Sequence, residues 1–230
     1  MPERPGSGGP AAGDGPVEGA RHVVLVGLMG VGKTTVGRRL AKELARPFAD
    51  VDEQVELRAG RVIPEIFRHG GEEAFRRAEA EVLAELVARP LPLVLAAGGG
   101  VVARPENRRT LAGRTTVVWL RASVEFLAGR VDPTHRPLLA QADDPAEALG
   151  RLLAEREPLY AEVADHVVDV EPFHAADDKP KRALARHIAA LAVPTTSAAP
   201  TPAPAPASAG GATGTPGAGS AAAVDAGVIG

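Results

Sequence analysis

Short apolar runs alternate along the chain with longer stretches in which apolar positions recur at helical spacing. Residues 22–26 (His-Val-Val-Leu-Val) read as a buried strand; a glycine-rich segment follows, then a helical pattern over 32–46. The runs 93–97 and 116–120 have the length of buried strands, and 167–170 is expected to be the last strand. A further strand is expected to end at Asp50-Val51-Asp52, ahead of a helix over 53–59. Between 72 and 88, Phe75, Val82, Leu83, Leu86 and Val87 fit the buried face of a long helix. This alternation predicts an α/β fold, with helices on both faces of a five-stranded parallel sheet.

The pattern fails at both ends. Residues 1–19 are rich in Pro and Gly, and 194–230 are almost entirely Ala, Pro, Gly, Ser and Thr, with Asp225 as the one ionisable side chain. Such segments bury too little apolar surface to offset the entropy of ordering, so both tails are expected to be disordered around one domain at 20–193. Inside the domain, 133–145 is too rich in Pro and Asp for helix or strand. A loop of that length is either a mobile surface connection or an active-site lid, here placed at about 131–145.

Composition narrows the functions. Hydrophobic residues make up 45% of the chain but aromatics only 3%, so Ala, Val and Leu must fill the core and base-stacking platforms are not expected. A net charge of -3 gives no global attraction for nucleic acid or an anionic membrane. The absence of cysteine removes disulfides, zinc knuckles and thiol nucleophiles. With no apolar leader region and no apolar run of about 18 residues, the expectation is a soluble, cytoplasmic protein.

Gly27-Leu28-Met29-Gly30-Val31-Gly32-Lys33-Thr34 fits G-x-x-x-x-G-K-[ST] between an expected strand and helix. The glycines let backbone N–H groups of Gly30, Val31, Gly32, Lys33, Thr34 and Thr35 face phosphate oxygens, reinforced by the positive end of the helix. Lys33 is expected to reach the β- and γ-phosphates, and the Thr34 hydroxyl to hold Mg²⁺. The fold class expected is therefore the P-loop NTPase three-layer α/β/α arrangement, binding ATP. A guanine switch is disfavoured because the sole asparagine, Asn107, lies in Asn107-Arg108-Arg109-Thr110. An ATP-hydrolysing motor is disfavoured because 93–97 ends in Gly98-Gly99-Gly100 rather than an acidic residue.

Asp50 and Asp52 would reach the ligand edge of a parallel sheet, one serving Mg²⁺ and the other a hydroxyl; equally, Asp52 could be only the N-cap of the helix over 53–59. Gly98, Gly99 and Gly100 would admit close approach of a ligand to backbone, or form a plain turn. Arg76 and Glu79, three apart on one helix, most simply form a solvated pair, and single arginines such as Arg136 and Arg156 are usually surface charges.

Their company changes these readings. The phosphate loop, Asp50-Val51-Asp52, Ile63-Pro64-Glu65-Ile66-Phe67, Gly71-Glu72-Glu73-Ala74-Phe75-Arg76, Gly98-Gly99-Gly100, Arg136-Pro137-Leu138-Leu139 and Arg156-Glu157-Pro158-Leu159-Tyr160 stand in the order and near spacing of bacterial shikimate kinase. The resemblance covers essentially all of 20–193. It implies that Asp52 holds the hydroxyls of shikimate and takes the attacking proton, with Asp50 supporting Mg²⁺. It further implies that Arg76 and Arg156 clamp the carboxylate, Gly98 to Gly100 bring backbone to the substrate, and Glu79 orients Arg76. Arg136 would swing in from the lid, and Arg130 would lie near the adenine. A monomer is expected on the same ground. The alternatives are a related kinase for another hydroxy acid such as gluconate, or a nucleotide-binding regulatory module without turnover.

Overall fold

A computed structural model describes residues 21–132, 139, 144–174 and 179–192. The expected tails, Arg136 and most of the expected lid lie outside the described residues. Five strands, β1 (His22–Val26), β2 (Phe48–Asp50), β3 (Val94–Ala96), β4 (Thr115–Arg121) and β5 (His166–Asp169), form one parallel sheet in the order β2-β3-β1-β4-β5. Strand positions match the sequence pattern to within a residue or so at each end. The helices are α1 (Lys33–Glu43), α2 (Val51–Ala59), α3 (Ile63–Val87), α4 (Pro105–Arg114), α5 (Val124–Ala128), α6 (Pro145–Val163) and α7 (Lys179–Ala192).

The period of two along a strand divides the interior into two layers. In β1, Val23 and Leu25 pack with Val36 and Leu40 of α1 and Leu184 and Ile188 of α7. Val24 and Val26 face the other way, with Val82, Leu83 and Leu86 of α3, Leu111 of α4 and Tyr160 of α6. β4 repeats the split, sending Val118 and Leu120 to the first layer and Val117 and Trp119 to the second. Both faces of a central strand are thus buried, which is why 22–26 reads as an unbroken apolar run. Each fully buried Val or Leu contributes about 1.5–3 kcal/mol.

One correction concerns α2. The helix begins at Val51, and its N-cap is Asp50, whose Oδ1 accepts from the Asp52 N–H at 3.0 Å. Asp52 is therefore inside the first turn rather than the cap, and its carboxylate is not committed to that task. A second finding is the extent of α3, which starts at Ile63 and not near 72, with a break at Gly71 (φ 71°, ψ -177°). The glycine adopts a backbone conformation that side-chain-bearing residues avoid, and it lets two amphipathic segments meet at an angle.

At the opposite end of β1 from the phosphate loop, His22 is buried and its Nδ1 accepts from the Leu93 N–H at 3.1 Å, tying β1 to the entry of β3. Burial lowers the His22 pKa, and Arg114 and Arg46 add to the fall against backbone hydrogen bonds that raise it. The unfolded chain then binds the proton more tightly, so stability is present above the unfolded value of about 6.5 and is lost as pH falls below it. His22→Asn, which keeps an acceptor but cannot titrate, should show a flatter melting temperature between pH 7.5 and 5.5 than the parent protein. Thermal melts across that range check it.

Candidate active site

The phosphate loop lies between β1 and α1. Gly27, Gly30 and Gly32 have φ of 136°, 83° and 95°. At Gly27 the requirement is also spatial, since a Cβ there would stand 2.4 Å from the Leu120 carbonyl oxygen. Gly32 is the N-cap of α1 and supplies no side-chain cap, so the first N–H groups of the helix are left to other acceptors. Lys33 Nζ donates to the carbonyls of Gly27 at 2.9 Å and Leu28 at 3.1 Å, lying across its own loop. Thr34 Oγ1 donates to Asp50 Oδ2 at 2.6 Å. That pair of hard oxygens, beside a loop built for phosphate, is the donor type suited to a divalent cation that draws its remaining ligands from phosphate and water. Arg130, exposed, reaches back to the loop through Nε–H to the Gly30 carbonyl at 3.1 Å, with its guanidinium over Phe126.

Next to this loop, an open pocket with about 460 Å³ of empty space gathers Asp52, Arg76, Glu79, Arg156 and the three glycines, walled by Met29, Ile63, Phe67 and Phe75. Arg76 and Glu79 are not a solvated pair. Glu79 is 0% exposed and Arg76 only 7%, and Arg76 Nη1 donates to Glu79 Oε2 at 2.9 Å. Burial pushes the Glu79 carboxyl up, against the pull of Arg76, and neighbouring Asp52 adds to the rise. Burial also works against the Arg76 charge, but Glu79 and then Glu72 outweigh it and hold the guanidinium protonated more firmly than usual. Among the described residues, Glu79 Oε1 has no hydrogen-bond partner.

The glycine run is explained by crowding rather than by backbone torsion, for none of the three has a positive φ. A Cβ on Gly98 would lie 2.2 Å from Glu79 Oε1 and 2.7 Å from Asp52 Oδ1. One on Gly100 would lie 2.3 Å from both terminal nitrogens of Arg76. Glycine is thus what allows two carboxylates and a guanidinium to converge on one stretch of main chain.

Arg156 is equally buried, and its Nη1 donates to the Gly99 carbonyl at 3.1 Å. Tyr160, one turn further along α6, donates its hydroxyl to the same carbonyl and stacks on Trp119 with ring centroids 5.7 Å apart. Burial pushes the Tyr160 phenol well above its ordinary value, so it stays a neutral donor. Tyr160 and the apolar wall of Ile63, Phe67 and Phe75 are site components to which residue-by-residue reading assigned no role. The available signal was the i, i+4 spacing of Arg156 with Tyr160 and of Ile63 with Phe67, which puts each pair on one helix face.

Fold and site define a protein of the P-loop phosphoryl-transfer class, with a pocket that holds two buried arginines beside the phosphate loop. The comparisons with known proteins make this specific. The shikimate kinase family model matches residues 29–190. The chain is 48% identical over 171 residues to a shikimate kinase of Pseudomonas savastanoi pv. phaseolicola, covering 74% of this chain and 95% of that protein. It is 49% identical over 162 residues to one of Bordetella pertussis, covering 69% and 76% respectively. Among solved structures it is similar to shikimate kinase from Acinetobacter baumannii in complex with shikimate, at TM-score 0.67 and 42% identity over 74% of this chain and 92% of that one. The chain belongs to the shikimate kinase family.

Proposed function

We propose that the chain transfers the γ-phosphoryl group of ATP to the 3-hydroxyl of shikimate, giving ADP and shikimate 3-phosphate on the route to chorismate and the aromatic amino acids. The observation that carries this reading is the convergence of Asp52, Arg76 and Arg156 on Gly98 to Gly100, in a pocket beside the phosphate loop. A small hydroxylated carboxylate needs a forked cation for its carboxyl group, an oxygen acceptor for its hydroxyls and a short path to the γ-phosphate. This pocket offers all three.

In the transfer, the Asp52 carboxylate orients the 3-hydroxyl and accepts its proton. The hydroxyl oxygen bonds to the γ-phosphorus, and the bond to the β,γ-bridging oxygen breaks, its electron pair leaving with ADP. Backbone N–H groups from Gly30 to Thr35 and the Lys33 ammonium hold the phosphates and offset the charge that builds on them. Lys33 must swing from the Gly27 and Leu28 carbonyls to do so. A divalent metal accompanies ATP in this chemistry; Thr34 and Asp50 would hold it as Mg²⁺, and it would supply further neutralisation of phosphate charge. Arg76 and Arg156 grip the acceptor carboxylate and Arg130 lies near the adenine, while Arg136, outside the described residues, is assigned to the phosphates by the family resemblance alone. The reading includes one catalytic domain at 20–193, acting as a cytoplasmic monomer. Among the described residues, no helix is long and apolar enough to cross a membrane.

Product analysis tests the reaction itself. Phosphorus–proton correlation of the product should couple phosphate to the proton on carbon 3 alone; coupling at another carbon would refute the assigned acceptor atom. Turnover should vanish with EDTA and return with Mg²⁺.

A further inference from the structure

Glu72 makes a contact that the transfer chemistry does not call for. Its Oε1 accepts from both Nε and Nη2 of Arg76, at 3.1 Å each, while Glu79 takes Nη1. The Nε and Nη2 hydrogens form one of the paired-donor edges by which a guanidinium recognises a carboxylate. The arginine proposed to grip the acceptor therefore carries one of the chain's own carboxylates on a docking edge.

The two glutamates on Arg76 differ in their freedom to leave. Glu79 is fully buried, and stripping it of Arg76 would strand a charge out of water. Glu72 is half-exposed, and it follows directly on Gly71, where α3 breaks. Released from Arg76, its carboxylate passes straight into water, and exposed ion pairs of this kind are weak. Charge balance favours that release. Arg76 and Arg156 bring two positive charges to the pocket, against Asp52, Glu79 and Glu72. An anionic acceptor added to all three carboxylates is repelled, whereas an acceptor that replaces Glu72 leaves the local charge unchanged.

We infer that Glu72 is an internal stand-in for the acceptor's carboxylate, seated on the Nε–Nη2 edge of Arg76 in the free protein and displaced one for one when the acceptor binds. The inference rests on the reading of Arg76 as the carboxylate clamp. It makes Glu72 a specificity-determining residue, because an acceptor without a carboxylate cannot exchange like for like and meets an occupied edge.

The test is Glu72→Gln, which preserves reach and a neutral acceptor oxygen but removes the charge, with Arg76→Lys as a parallel arm. Shikimate Kd by calorimetry without nucleotide, and shikimate KM at saturating ATP, should each fall about two- to fivefold in Glu72→Gln, the change being carried by KM rather than kcat. Arg76→Lys should raise shikimate KM, and adding Glu72→Gln to it should bring no gain. If Glu72→Gln leaves Kd unchanged or raises it while Arg76→Lys still weakens shikimate, Glu72 merely braces Arg76 and the exchange is overturned. If Arg76→Lys has no effect on shikimate, the clamp reading itself fails and the exchange falls with it.

Discussion

Replacing Arg76 by methionine should destabilise the protein by about 3–5 kcal/mol and also strip it of most of its affinity for shikimate. The stability loss comes from Glu79. At 0% exposure it has Arg76 Nη1 as its hydrogen-bonded cation at 2.9 Å, so methionine leaves a fully buried carboxylate without that partner and beside the like charge of Asp52. Burial already pushes this carboxyl up, and without Arg76 it should take a proton on folding. Urea titration reads the loss. The companion double variant, Arg76→Met with Glu79→Leu, separates the two effects, since removing both partners of a buried pair is far less costly than removing one. It should regain much of the stability and none of the shikimate affinity. Recovery of affinity as well would mean that Arg76 supports the fold alone.

Asp52→Asn should lower kcat by about 10²–10⁴-fold, the range for loss of a positioned proton acceptor, with a smaller effect on shikimate KM. Asparagine keeps the size of the side chain and an oxygen for the acceptor's hydroxyls but cannot take the proton. The fold should tolerate the change, because the capping task at the start of α2 belongs to Asp50, whose Oδ1 receives the Asp52 N–H. Steady-state kinetics at several pH values check it. A variant with near-normal kcat would restrict Asp52 to holding the acceptor.

Much of this was legible in the sequence because the physics that encodes it is local. The phosphate loop is contiguous, and its glycines are demanded by positive φ at Gly27, Gly30 and Gly32, so pattern and conformation coincide. The buried strands showed as apolar runs because a central strand in a parallel sheet is covered on both faces. What stayed hidden depends on contacts distant in the chain. The i, i+3 spacing of Arg76 and Glu79 is the same for a solvated pair as for a buried one; only the packing of α3 against the turn after β3 makes it the latter. Family resemblance, rather than spacing, pointed to the right reading. Likewise, no local rule tells that Gly98 and Gly100 are glycines because side chains from α2 and α3 press on them. Which of Asp50 and Asp52 caps α2 turned on where the helix starts, a boundary that differs by only two residues between the two readings.

Tyr160 shows the same limit from another side. A lone tyrosine on an apolar helix face reads as core, and it is core, fully buried against Trp119. Its hydroxyl nevertheless reaches the Gly99 carbonyl that Arg156 also contacts, so a packing residue fixes the main chain of the pocket beside the phosphate loop. That double role follows from the approach of α6 to the glycine turn, which no spacing within either segment reveals.

The most direct measurement is ADP release by the purified protein with ATP and Mg²⁺, run in parallel with shikimate, with gluconate and with no acceptor. Rapid release with shikimate, and little with gluconate or without acceptor, is the expected result. Release with gluconate but not shikimate, or with neither, would contradict the proposal that the pocket beside the phosphate loop receives shikimate.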